Sequence, residues 1–121
     1  MQVFKFGGAS VKDAASVKNV ASILKKYSGE QTIVVISAMG KTTNKLEALV
    51  NAYFYKTGDV TSIFNDLKTY HFSLLEELFP EKNDNLINDL DNVFLELLWA
   101  LEEEPAFSYN HHYDQMVSQG E

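Results

Sequence analysis

A lysine, two glycines and a serine stand together near the start of the 121-residue chain, in Lys5-Phe6-Gly7-Gly8-Ala9-Ser10. Residues of these types in this order suit a phosphate. Glycines let backbone N–H groups approach oxygens with no Cβ in the way. A helix opening at the hydroxyl adds free N–H groups and partial positive charge, and Lys5 brings a compact cation. The same residues also suit a Gly-Gly turn with a surface lysine. A second polar cluster is Ser37-Ala38-Met39-Gly40-Lys41-Thr42-Thr43-Asn44. Its Gly40-Lys41-Thr42 run is not a Walker A loop, because that motif needs a glycine where Val35 stands. What remains, hydroxyls, an amide and a lysine, suits a small polar substrate with carboxylates. It suits equally a polar turn in which Thr42 or Thr43 caps the next helix. His111-His112 with Asp114 nearby are set aside as a metal site, since adjacent histidines point in different directions and no further ligand stands at good spacing.

The elements that position these clusters can be read from periodicity. Gln2 to Phe6 alternates and reads as a strand broken by Gly7-Gly8. Ser10 is the expected cap of a helix whose apolar residues run from Val11 to Tyr27, with Gly29 just beyond. Thr32 to Ile36 is a β-branched run, expected as a parallel strand buried on both faces. Strand, helix and strand make a βαβ unit, and ligands of such units sit outside the carboxyl ends of the strands. Both polar clusters fall at those ends and are expected side by side. Three helices follow, marked by Leu46 to Phe54, by Val60 to Leu78 with Asp59 as cap, and by Leu86 to Leu101. The last two are expected as an antiparallel hairpin, with Trp99 and its leucines as packing. Glu102-Glu103-Glu104 reads as a solvated helix end, His71 as exposed or half-buried, and the residues after Pro105 as a short segment reaching Gly120-Glu121.

Composition narrows the class. Hydrophobic residues make up 45% of the chain, enough for a packed core. There is no cysteine, which excludes disulfides and thiolate metal sites. A net charge of −7 argues against nucleic acid as a partner. Residues 1–58 hold eight lysines against three acids, whereas residues 59–121 hold two against fourteen. The first half can therefore attract an anion while the second is a solvated acidic surface. With no arginine present, phosphate contacts must come from lysine, hydroxyls or backbone N–H groups. No run approaches the ~20 apolar residues of a membrane span, and no signal peptide is recognisable. The expectation is a cytoplasmic protein with no membrane partner.

Lys5-Phe6-Gly7-Gly8-Ala9-Ser10-Val11 resembles the KFGGTSV opening signature of the aspartokinases. The run from Val35 to Asn44 is similar to that family's second signature, a strand followed by SAMGxTTN. Ser118-Gln119-Gly120-Glu121 resembles its third, SxGE, and the three occur in the family's order across the whole chain. The resemblance implies an α/β fold: part of the amino-acid kinase (carbamate kinase-like) three-layer sandwich, with a mostly parallel sheet and a helical hairpin insertion. Residues 1–44 would form the βαβ unit with the phosphate and substrate loops, 45–104 the helical segment, and 105–121 the start of a substrate-binding segment. The implied reaction is phosphorylation of the L-aspartate β-carboxylate by Mg-ATP, the first step of lysine, threonine and methionine biosynthesis. Lys5 would be catalytic and would bind phosphate with Gly7, Gly8, Ser10 and Ser37. Thr43 and Glu121 would hold L-aspartate, Glu121 by pairing with its ammonium group. ATP and Mg2+ are the implied cofactors and a homo-oligomer the implied assembly. Ala9 departs from the signature threonine, so any hydroxyl contact from that position is lost. The family continues with an Arg and an Asp of the substrate site, an ATP-binding half and regulatory ACT domains, so the chain is expected to be a fragment inactive by itself. The alternatives are a kinase of the same fold acting on glutamate, acetylglutamate or a nucleoside monophosphate, and a non-catalytic helical interaction module.

Overall fold

The computed structural model describes all residues, 1–121, as two compact units, Met1–Thr42 and Thr43–Glu121. In the first unit, strands β1 (Gln2–Phe6) and β2 (Thr32–Ile36) pair in parallel, with Gln2 opposite Thr32 and Phe6 opposite Ile36. Helix α1 (Ala14–Lys25) makes the crossover. Alternation along β1 sorts its side chains. Phe4 and Phe6 pack with Val11, Val17, Val20 and Leu24, while Val3 and Lys5 face the other way and are exposed.

Two expectations for this unit are corrected. Ser10 does not cap the helix. Residues Gly8–Val11 form a 3-10 turn, closed by the Ser10 N–H on the Gly7 carbonyl at 2.9 Å. Helix α1 opens later, at Asp13, whose Oδ1 accepts the Ser16 N–H at 2.8 Å. Hydrogen bonds from Ser16, side chain first and then backbone, hold the Asp13 carboxyl below its ordinary pKa. Nor is β2 buried on both faces: Ile33, Val34, Val35 and Ile36 are 47%, 38%, 47% and 51% exposed. The β-branched run dictates an extended backbone, but burial needs neighbours. The sheet has only two strands, and the buried cluster on it draws on β1 and α1 alone.

The second unit is helical: α2 (Thr42–Tyr55, beginning one residue earlier), α3 (Val60–Leu78), α4 (Asp84–Glu102) and α5 (Tyr109–Gly120). Its core gathers Leu46, Leu49, Val50, Leu67, Leu97 and Met116, each 2% exposed or less. Burying each such aliphatic side chain contributes about 1.5–3 kcal/mol. Asp59 caps α3 as expected, accepting the Ser62 N–H at 3.1 Å, and Asn83 caps α4 in the same way. Helices α3 and α4 form the antiparallel hairpin, seamed by an edge-to-face Phe64–Phe94 contact at 5.8 Å and a Lys68–Asp91 ion pair at 3.3 Å. The ion pair is half exposed and adds little. Trp99 does not join this packing. It is 58% exposed, on the outer side of α4. The short segment after Pro105 carries α5, capped by Ser108. No helix is long and apolar enough to cross a membrane.

His71, half-buried on α3, lies with its Nδ1 2.8 Å from the Leu67 carbonyl and its ring against Tyr70 and Phe94. Burial pushes its pKa below 6.5, the Leu67 bond opposes this, and the Lys45 cation lowers it further. The folded chain thus binds the His71 proton more weakly than the unfolded chain. This stabilisation is complete above pH 6.5 and is lost as pH falls through the depressed folded pKa. Urea denaturation between about pH 7 and about pH 5 is expected to show stability falling with acid, and His71→Gln to flatten that slope. An unchanged slope would remove His71 as its source.

Candidate functional site

The first unit carries the candidate phosphate contacts where its two strands end. Lys5 is exposed and takes part in none of the ion pairs, which join Lys56 to Glu104, Lys68 to Asp91 and Lys82 to Asp84. Its cation is therefore not neutralised by a neighbouring carboxylate. The N–H groups of Gly7 and Gly8 donate to no backbone carbonyl. The two strand-end loops are tied together as expected: Ser37 N–H donates to the Phe6 carbonyl at 3.0 Å and Gly40 N–H to the Gly8 carbonyl at 3.1 Å. Gly40 sits at φ 57°, in the left-handed region that favours glycine. This approach is so close that a Cβ on Gly8 would overlap the Gly40 carbonyl oxygen. Ser37 is half-buried, and its hydroxyl donates to the Ala38 carbonyl at 3.1 Å.

The helix N-terminus expected in this cradle is absent from it. Asp13 already accepts the Ser16 N–H in the first turn of α1 and places a carboxylate there, and Ser10 instead lies exposed in the 3-10 turn beside an open hollow lined by Ala9, Lys12, Ser16 and Asn19 among others. A phosphate at this loop would thus meet Lys5 and the glycine N–H groups rather than a helix dipole.

The second unit joins the two candidate substrate residues. Thr43, in the first turn of α2, donates its hydroxyl to the carboxylate of Glu121, 78 positions away at the end of α5. Glu121 is exposed, and its backbone N–H donates to the Val117 carbonyl at 3.2 Å. A carboxylate offers about four acceptor sites, so one held by Thr43 still has capacity for an ammonium group. Thr42 faces the other way: it is 2% exposed, and its hydroxyl donates to the Met39 carbonyl at 2.6 Å.

His112 is buried and structural in its contacts. Its Nε2 accepts the Phe107 N–H at 3.1 Å and its ring meets Tyr53 edge-on. No cluster of three or more His, Asp or Glu side chains could hold a metal ion. Sequence reasoning missed the structural parts of Gly40 and of Gly120, where an added Cβ would overlap Leu46 Cδ1. The second could have been found by extending the helical period through Tyr109, His112, Tyr113, Met116 and Val117, which runs on to residue 120.

Comparison with known proteins bears on the family of the chain. The family model described as "Amino acid kinase family" matches residues 1–103. Aspartokinase 2, chloroplastic, of Arabidopsis thaliana is 52% identical over 44 residues, 36% of this chain and 8% of the relative. Bifunctional aspartokinase/homoserine dehydrogenase 2 of Escherichia coli (strain K12) is 33% identical over 88 residues, 72% of this chain and 11% of the relative. The crystal structure of E. coli aspartokinase III in complex with aspartate and ADP (R-state) superposes with a TM-score of 0.82 at 25% identity, over 100% of this chain and 26% of that one. The same enzyme in complex with lysine and aspartate (T-state) gives 0.80 at 26% identity. The chain thus corresponds to about a quarter of the solved relative's length.

Proposed function

This chain belongs to the amino acid kinase family, and from that premise we propose that it is the N-terminal part of an aspartokinase, which phosphorylates the β-carboxylate of L-aspartate to give 4-phospho-L-aspartate. The observation that carries this reading is the Thr43–Glu121 hydrogen bond. It joins two of the three signature segments and presents a carboxylate suited to the ammonium group of an amino acid. ATP, accompanied by Mg2+, supplies the transferred phosphoryl group. The residues present fit a nucleotide phosphate: an unneutralised lysine beside two glycine N–H groups with no backbone acceptor. They do not form a carboxylate cage, so Mg2+ comes with the nucleotide rather than from a site of its own on these residues.

In phosphoryl transfer the protein contributes mainly position and charge stabilisation. Lys5 compensates charge on the phosphoryl oxygens, the N–H groups of Gly7 and Gly8 donate to them, and Ser10 and Ser37 lie at the edges of that contact. Glu121 orients L-aspartate through its ammonium group, and the Thr43 hydroxyl bond keeps the Glu121 carboxylate aimed. The reaction opens the biosynthesis of lysine, threonine and methionine, in the cytoplasm and in a homo-oligomer.

The test is the full-length enzyme with Mg-ATP, hydroxylamine and either L-aspartate or L-glutamate. Hydroxylamine converts an acyl phosphate to a coloured hydroxamate. Hydroxamate with aspartate alone is the expected result. Hydroxamate only with glutamate would assign another acceptor to the same fold, and ATP consumed with neither would overturn the carboxylate-acceptor reading.

A further inference from the structure

Helices α2 and α5 run antiparallel, as their contacts show in reversed order: Thr43 with Glu121, Leu46 with Gly120, Tyr53 with His112, and Asn51 and Phe54 with Tyr109. Most of this seam is apolar or aromatic. The Tyr109 ring lies 5.5 Å from Phe54, edge-on, and 5.6 Å from Tyr55, stacked. Such contacts hold two helices together but tolerate sliding, because they have little directionality. The polar exception at the start of α5 is the Tyr109 hydroxyl, which donates to Asn51 Oδ1 at 2.6 Å. At the other end, a Cβ on Gly120 would overlap Leu46 Cδ1, so the helix end lies where little displacement toward α2 is tolerated. Between the two ends α5 is a regular helix, which passes a shift at Tyr109 to Glu121 with a rise of about 1.5 Å per residue.

We propose that Tyr109 is a positioning residue whose hydroxyl bond to Asn51 sets the register of α5 on α2 and thereby delivers the Glu121 carboxylate to Thr43. The kinetic consequence rests on the reading of Glu121 as the partner of the substrate ammonium; the register itself does not. Burial raises the pKa of Tyr109, with Glu47 and the neighbouring Tyr55 and Tyr113 adding to the effect, so the hydroxyl stays a donor through the neutral range.

Tyr109→Phe removes the hydroxyl and keeps the ring. In the full-length enzyme it is expected to raise KM for L-aspartate about threefold to tenfold, the equivalent of one hydrogen bond, with kcat and KM for ATP unchanged. Asn51→Asp, which keeps an acceptor, is expected to stay near wild type. In a Glu121→Gln background Tyr109→Phe is expected to add nothing further, because the carboxylate it positions is gone. Hydrogen exchange of the peptide covering residues 109–121 is read in parallel, and Tyr109→Phe is expected to speed it. Unchanged exchange overturns the proposal, as does an equal KM effect with and without Glu121. If Glu121→Gln alone leaves KM for aspartate unchanged, the substrate reading of Glu121 fails, and the exchange measurement still decides the register.

Discussion

Replacing Lys5 by methionine in the full-length enzyme is expected to lower kcat by about 10²–10³ while leaving stability within about 0.5 kcal/mol of the parent. The two halves of this expectation come from separate observations. Lys5 lies on the face of β1 opposite Phe4 and Phe6 and is exposed, so its ammonium supports no packing. It takes part in none of the ion pairs of the fold, so its loss strands no buried partner. Methionine keeps an unbranched stem of similar length on the strand, which leaves the charge as the main change. Charge that compensates developing negative charge on phosphoryl oxygens contributes most in the transition state, hence an effect on kcat. Initial hydroxamate rates and thermal melting check both halves. A fall of less than about tenfold would remove Lys5 as a principal donor. A matching loss of stability would make its role structural.

The loops of the candidate site were legible in the sequence because local rules govern them. A strand that alternates, a glycine pair and a β-branched run place Gly7 to Ser10 and Ser37 to Thr42 at the ends of paired strands, and Phe6–Ile36 pairing brings them together. Where two local signals competed, the reading failed. Ser10 and Asp13 are both good caps three residues apart. Asp13 prevails because the glycine pair leads the chain into a 3-10 turn before the α-helix can start. Burial was legible only where the covering partner is local: β1 is covered by α1, whereas the apolar side chains of β2 have no equivalent cover. Helix α5 escaped notice because its buried positions include His112, a residue a hydrophobic count passes over, whose Nε2 is satisfied by a backbone donor. The resemblance supplied Thr43 and Glu121 as a pair of roles. Their hydrogen bond is a tertiary fact, set by how α5 lies along α2, and no spacing of 78 residues could reveal it.

The second large effect is expected at Gly8, and its neighbour provides the control. An alanine Cβ at Gly8 would overlap the Gly40 carbonyl oxygen and come within 3.3 Å of the Ala38 carbonyl oxygen. These are backbone atoms, so no side-chain rotation can relieve the overlap. The strand-end loops must separate, and the Gly40 N–H bond to the Gly8 carbonyl is stretched or lost. Gly8→Ala is therefore expected to cost about 1–3 kcal/mol of stability and to reduce turnover by about 10² or more. At Gly7 a Cβ meets nothing within 4 Å, and the backbone is extended at φ −79°, ψ 175°, which alanine adopts freely. Gly7→Ala should leave stability within about 0.5 kcal/mol of the parent. If a phosphate approaches that N–H, the new methyl group obstructs it, and turnover should still fall at least about tenfold. The pair thus separates what the glycines do for the fold from what they do for a ligand. Full activity in Gly7→Ala would confine the phosphate contact to Gly8 and Lys5, whereas unaltered stability in Gly8→Ala would mean that the two loops do not meet as closely as the structure places them.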